Sequence, residues 1–419
     1  MNSQARSKYS TILNEDWVKL GYRPLYEPGL TNEIHHLFQY TNASRPKDAP
    51  RTWPQLNSKA EYDDMCTQMG PVLQLASNII QSPKSLDFVY DVVYSPREDG
   101  GLDNQGRTCK EFGRKEHPFP AIRRDMAKKA LRSVSRSLRF QVADPEANPE
   151  LQASFAATGF ALTNFEGGIK IDEVSSKLGL ASKIYLNRNF IVGLKELDTH
   201  EGDTTAQKMT LQLKMAITVC HEIAHALDYA VNSELLDIWR LELNASHQAF
   251  WEGRKYEPQA LDYHEPYYRD ETMAEIGIAW ENQVFGGQIY WSGHTADPLF
   301  VSKWPSFLTL DNHFIPTRSG NGKRTARRYA VSVHFNQNMH RQEFWDGVDP
   351  GDDTALHIRK TVGIEYINPD AEASSINSSE NNWPSDAGSS RVSREGEWSV
   401  KCGSVWCTCK RDSRRTACP

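Results

Sequence analysis

The stretch from Thr204 to Asn232 constrains the fold of this chain more than any other. Its periodicity predicts a long helix, and the middle is apolar on nearly every side, from Met209 through Ile217 to Leu227. A helix without a polar face cannot lie on a surface, so this one predicts the centre of a core. Inside it stands His221-Glu222-Ile223-Ala224-His225. Burying two histidines and a glutamate without partners is costly, so the cluster calls for a purpose.

Helical residues four apart share one face. His221 and His225 can therefore grip one metal ion at the usual ~2.0–2.1 Å. Glu222 is rotated by about 100° from His221. It misses the ion but borders its open position, where it can take a proton from a metal-bound water whose pKa falls to about 7. Two ligands and a general base from one short segment are the mechanical content of H-E-x-x-H.

A catalytic zinc needs a third protein ligand. The extended motif with a third histidine is excluded, because its glycine and histidine positions hold Asp228 and Val231. A second helix is predicted over Arg269–Val284, ending at Gly286 and Gly287. It offers Glu271, Glu275 and Glu281. On a helix Glu271 and Glu275 share a face. One carboxylate can bind the ion while the other accepts the N–H of a ligand histidine, and the spacing leaves open which does which. Asp228, on the face of His221, is another candidate partner for a histidine. His264 and His294 are fallback ligands.

"HEIAH" followed by "ETMAE" resembles the zincin superfamily of metallopeptidases, in its glutamate-ligand (gluzincin) branch. There the third ligand opens a pattern Glu-x-x-Ala-Asp. Glu271 matches the ligand, Ala274 matches the Ala, and Glu275 replaces the Asp. "AWENQVFGG" also resembles uncharacterised fungal zincin-like proteins. The likeness covers Ala181 to Gly287. It implies an α+β fold: a twisted mixed sheet whose edge strand flanks a cleft, a buried active-site helix, and a following helix with the third ligand. It implies Zn2+ held by His221, His225 and Glu271, supported by Glu275 and Asp228. Glu222 is then the catalytic base, and peptide bonds of a peptide or protein are the substrate. "KIYLNRNFIV", inside a strand predicted from Ala181 to Leu194, becomes the edge strand that binds an extended peptide. Tyr263, His264, Tyr267, Tyr268 and His334 are candidates to stabilise the oxyanion.

A chain of 419 residues has room for two or three domains, or one large one. The sequence divides into an irregular arm (1–60), a main domain (61–370) and a tail (371–419). The arm is rich in Pro and Asn, with a short helix predicted over Glu33–Tyr40. The main domain begins with a helical subdomain and holds its metal-binding core at 181–287. The tail is Ser- and Asn-rich, is predicted to be disordered, and carries Cys402, Cys407, Cys409 and Cys418. Further predictions are helices over Glu61–Ile80, Ala121–Arg139 and Asn338–Trp345, strands over Val331–Phe335 and His357–Ile367, and a strand or helix end at Ser85–Pro96.

No apolar run is long enough to span a membrane. The N-terminus lacks an apolar core, which predicts an intracellular chain with reduced thiols. The sequons at Asn42, Asn244 and Asn377 then read as chance. A net charge of −6 gives no argument for nucleic acid. The basic residues of Ala121–Arg139 and Gly322–Arg328 would carry that alternative, and charge runs are usually solvated surface. The other alternative is an inactive zincin-fold protein that binds a peptide or partner. An intact Glu222 argues against it, because a purely structural site needs no base.

Overall fold

The computed structural model describes residues 29–38, 59–102, 108–113, 120–135, 138–146, 151, 156–160, 182–200, 205–232, 265–268, 271, 274–290, 299–302, 325–360, 363–367, 398–402 and 405–409, with single residues at 245, 248 and 252. Among these the chain is α+β. In chain order the elements begin with a 3₁₀ turn at His36–Phe38, then α1 (Lys59–Ile80), α2 (Pro83–Tyr94), β1 (Arg97–Leu102), β2 (Thr108–Phe112) and α3 (Pro120–Val134). Next come β3 (Leu138–Ala143), β4 (Ala156–Phe160), β5 (Ser182–Asn187), α4 (Arg188–Thr199) and α5 (Thr205–Val231). The last group is α6 (Ile276–Phe285), β6 (Gln288–Tyr290), β7 (Phe300–Ser302), β8 (Thr325–Ala330), α7 (Val333–Met339), α8 (Gln342–Asp346), β9 (Gly363–Ile367), β10 (Trp398–Cys402) and β11 (Val405–Cys409).

Helix α5 is the predicted central helix, buried from Met209 to Ala230 along most of its length. It packs against α1, α2, α4, α6, β4 and β5. The small sheet beneath it has the order β3-β5-β4, with β3 parallel and β4 antiparallel to β5. A second, antiparallel sheet runs β11-β10-β9-β8-β7-β6, and β1-β2 form a separate hairpin. Trp280 and Phe88 are the bulkiest fully buried side chains. Indole Nε1 of Trp280 donates to Ser85 Oγ at 2.9 Å, tying α6 to α2. Among the described residues no helix is long and apolar enough to cross a membrane.

Local chemistry redraws several predicted boundaries. The strand expected over Ala181–Leu194 stops at Asn187, whose side chain caps α4 by accepting from Asn189 N at 2.9 Å. It is also the central strand of its sheet, so the edge beside α5 is β4. Ser85–Tyr94 belongs to a helix that starts at Pro83, in the first turn where proline is favoured, and ends before Pro96. The helix expected over Ala121–Arg139 ends at Val134, and Arg139 lies in β3. Val331–Phe335 starts a helix capped by Ser332 Oγ. Trp398–Cys402 and Val405–Cys409, expected in a disordered tail, pair as strands.

His340 sits at 1% exposure with Nδ1 on Asn336 O at 2.8 Å. Its Nε2 has no hydrogen-bond partner among the described residues. Burial pushes its pKa down to about 4 from an ordinary 6.5. The unfolded chain therefore takes up this proton first, and stability present above pH 6.5 is lost as pH falls toward about 4. Between pH 7 and 4.5 the loss from this group is on the order of 2 kcal/mol. Urea unfolding of His340→Gln at the two pH values should show a correspondingly smaller drop than the wild type.

Candidate metal centre

The first two donors come from α5. His221 and His225 lie one turn apart, and their Nε2 atoms approach to 3.2 Å. The third comes from the start of α6. Glu275 is the N-cap of that helix, its Oε2 accepting from Ile278 N. The other oxygen, Oε1, lies 2.9 Å from His225 Nε2 and 3.4 Å from His221 Nε2. Glutamate is not among the favoured N-caps. Aspartate would cap better but is one methylene shorter, so the residue here combines capping with reach toward the histidines.

Each histidine is held from behind by a carboxylate. His221 Nδ1 meets Glu281 Oε1 at 2.8 Å. Glu281 is anchored in turn, its Oε2 accepting from Ile289 N at 2.7 Å. His225 Nδ1 hydrogen-bonds Glu265 Oε1, and Glu265 Oε2 accepts from Ile276 N at 2.8 Å. A carboxylate accepting at Nδ1 fixes the tautomer with its lone pair at Nε2, the arrangement that supports metal-binding histidines. Glu265 reaches the site because its segment is paired with β2: Tyr267 N donates to Lys110 O at 2.7 Å and Phe112 N to Tyr267 O at 3.1 Å.

The donor set fits a small divalent cation. Three lone-pair atoms converge at 2.9–3.4 Å from one another. A tetrahedral ion with bonds of ~2.0–2.1 Å needs its ligand atoms roughly 3.3 Å apart. With protons in place of an ion, burial opposes charge on His221, but Glu275 and Glu281 outweigh it and push its pKa up to about 10. The same contest, with Glu265 and Glu275, lifts His225 well above its ordinary value. Burial works to raise Glu275, yet the two imidazoles hold it well below the usual carboxylate range. Burial raises Glu265 and Glu281, each partly offset by its histidine. A cation held there competes with protons for the same imidazole nitrogens, so its binding tightens as pH rises.

Among the described residues the structure brings His221 and His225 together, and the carboxylate that lies with them is that of Glu275 rather than Glu271. Glu271 precedes the helix, and its Oε1 accepts from Asn282 Nδ2 at 3.1 Å. The face-sharing argument assumed a helix from Arg269, whereas α6 begins at Ile276. Asp228 also has a different place: it is fully buried against Arg97 Nη2 at 2.7 Å, pinning the β1-β2 hairpin to α5. Glu281 is the histidine partner, and Glu265 was not foreseen. Tyr268 is committed to Asp91 Oδ2 at 2.7 Å, Tyr267 supplies backbone pairing to β2, and His334 is exposed. Tyr263, His264 and His294 lie outside the described residues.

Glu222 is 7% exposed. Its Oε2 accepts from Thr158 Oγ1 at 2.7 Å, and that hydroxyl also lies 3.0 Å from Glu222 O. Its Oε1 has no hydrogen-bond partner among the described residues. Gly277, in the first turn of α6, explains how the two helices come so close. A Cβ there would lie 2.4 Å from His221 Nε2 and Cδ2. Gly277→Ala should therefore push His221 aside and weaken metal binding on the order of 10–100-fold, the range found when the support of a ligand histidine is disturbed. Competition with a chromogenic chelator measures this, with a circular dichroism melt to show that the variant is folded.

Comparison of the chain with protein-family models, curated proteins and solved structures found no match.

Proposed function

We propose that the chain is a metal-dependent hydrolase of peptide bonds, with zinc as its ion. His221, His225 and Glu275 hold the ion, and Glu222 is the general base. The observation that carries this reading is the convergence of three ligand atoms within 3.4 Å, with each histidine oriented by a carboxylate at its Nδ1. A purely structural site closes all four positions with protein ligands. Here three donors stand together, with a glutamate one residue from the first.

A zinc ion held there acts as a Lewis acid that polarises a carbonyl and acidifies water. The side chains do the rest. Glu222 Oε1 accepts a proton from the attacking water and passes it to the departing amine, general acid–base work with one carboxylate. Its burial keeps bulk water from competing for that proton. The outer edge of β4 runs beside α5, which suits an extended peptide that adds as a further strand.

The test is elemental analysis of the purified chain together with cleavage of a mixed-sequence peptide library. About one zinc per chain and cleavage that falls sharply in Glu222→Gln are expected. A chain that binds zinc but leaves every peptide intact would refute the peptidase reading and keep the metal centre. A chain that takes up no zinc when it is offered would remove both.

A further inference from the structure

The inner face of β4 carries one hydroxyl whose presence packing does not explain. The register sets Ala156 opposite Leu186 and Thr158 opposite Ile184, and Ala156, Leu186 and Ile184 are all buried. A valine would suit that apolar stretch of strand at least as well. The only hydrogen-bond partners of the Thr158 hydroxyl among the described residues are two oxygens of Glu222, Oε2 at 2.7 Å and the backbone carbonyl at 3.0 Å.

We infer that Thr158 is a positioning residue for Glu222. The inference rests on the proposed role of Glu222 as base. A glutamate side chain has three rotatable bonds, and a base must hold its oxygen within hydrogen-bond reach of the proton it takes. Thr158 ties down one carboxylate oxygen and leaves the other, Oε1, for the proton. A β-branched residue is stiff at χ1, so the donor itself is fixed by the strand. The tether has a second consequence. Thr158 belongs to the edge strand on which an extended substrate would pair, so the strand that registers the peptide also sets the base.

The experiment compares zinc-loaded wild type, Thr158→Val and Thr158→Ser by crystallography and, on any peptide the wild type cleaves, by steady-state kinetics. In the valine variant the Glu222 carboxylate should turn from the position it holds in the wild type, with zinc occupancy and melting temperature unchanged. Its kcat should fall about 10- to 100-fold, as misplacement of a reacting group by about 1 Å does, with little change in KM. Serine, which restores the hydroxyl, should recover most of the loss. In a Glu222→Gln background the valine change should cost nothing further, because coupled residues are not additive.

An unchanged Glu222 position or unchanged kcat in Thr158→Val would overturn the inference. So would a loss of zinc or of melting temperature that accounts for the lower rate, since Thr158 would then be structural. A wild type that cleaves no peptide refutes the peptidase reading separately. The crystal structures still decide whether Thr158 sets the carboxylate.

Discussion

Replacing Glu275 by alanine should abolish zinc binding by the chain, while replacing Glu271 should leave it intact. Among the described residues Glu275 Oε1 is the one carboxylate oxygen within 3.4 Å of both Nε2 atoms, and Glu271 is occupied with Asn282. With two histidines left, zinc affinity should drop at least 100-fold, as the loss of a coordinating side chain removes far more than the 10–100-fold that its supporting partners supply. The capping bond to Ile278 N disappears in the same variant, at about 1 kcal/mol. Glu275→Asp separates the two effects. Aspartate is a good N-cap but is too short to reach the histidines, so it should keep the helix start and still lose the ion. Chelator competition followed by elemental analysis of the three variants reads the outcome. Zinc retained in Glu275→Ala and lost in Glu271→Ala would restore the ligand set that the resemblance implied.

Glu222→Gln should cut hydrolysis sharply with metal content unchanged. The expected fall in kcat is about 10²–10⁴-fold, the usual contribution of a positioned proton acceptor. Glutamine is close to isosteric, and its amide oxygen can still accept from Thr158, so the side chain stays in place while the ability to take a proton is lost. KM should move little, because the base contributes to the transition state and not to substrate binding. Single-turnover cleavage of a fluorogenic peptide, beside elemental analysis of the same preparation, separates chemistry from metal loss. A Glu222→Gln protein that cleaves at the wild-type rate would transfer the base to another group.

The helix bearing His221 and His225 was readable because its signal is local. Periodicity fixed Thr205–Val231 to within a residue of the expected start and end, and i,i+4 spacing placed both rings on one side. Gly286 as the end of α6 was equally legible: it takes φ +74°, a conformation that glycine adopts at no steric cost. The start of the same helix was not. The residues from Arg269 to Glu275 carry helical composition, but Glu275 itself is extended (φ −147°, ψ 100°) and its carboxylate caps the helix. Three apolar-rich segments were misread for a similar reason. Asn187 and Ser332 cap their helices through side-chain oxygens, Ser82 holds the N-cap position before Pro83, and such a position shows itself only when its backbone is non-helical.

The sequence alone determined that a buried helix would carry two imidazoles and an adjacent glutamate, since helical geometry follows from residue spacing. The tertiary structure decided which carboxylates surround them. Glu265 and Glu281 stand 40 and 60 residues from the histidines they hold. The first is delivered by pairing of its segment with β2, and the second by the packing of α6 on α5 across Gly277. Thr158, 64 residues before Glu222, arrives through the register of β4 on β5. No local pattern encodes such distances, because strand register and helix approach are set by the whole core; the ligand choice between Glu271 and Glu275 turned on one of them, the point at which α6 meets the face of His221.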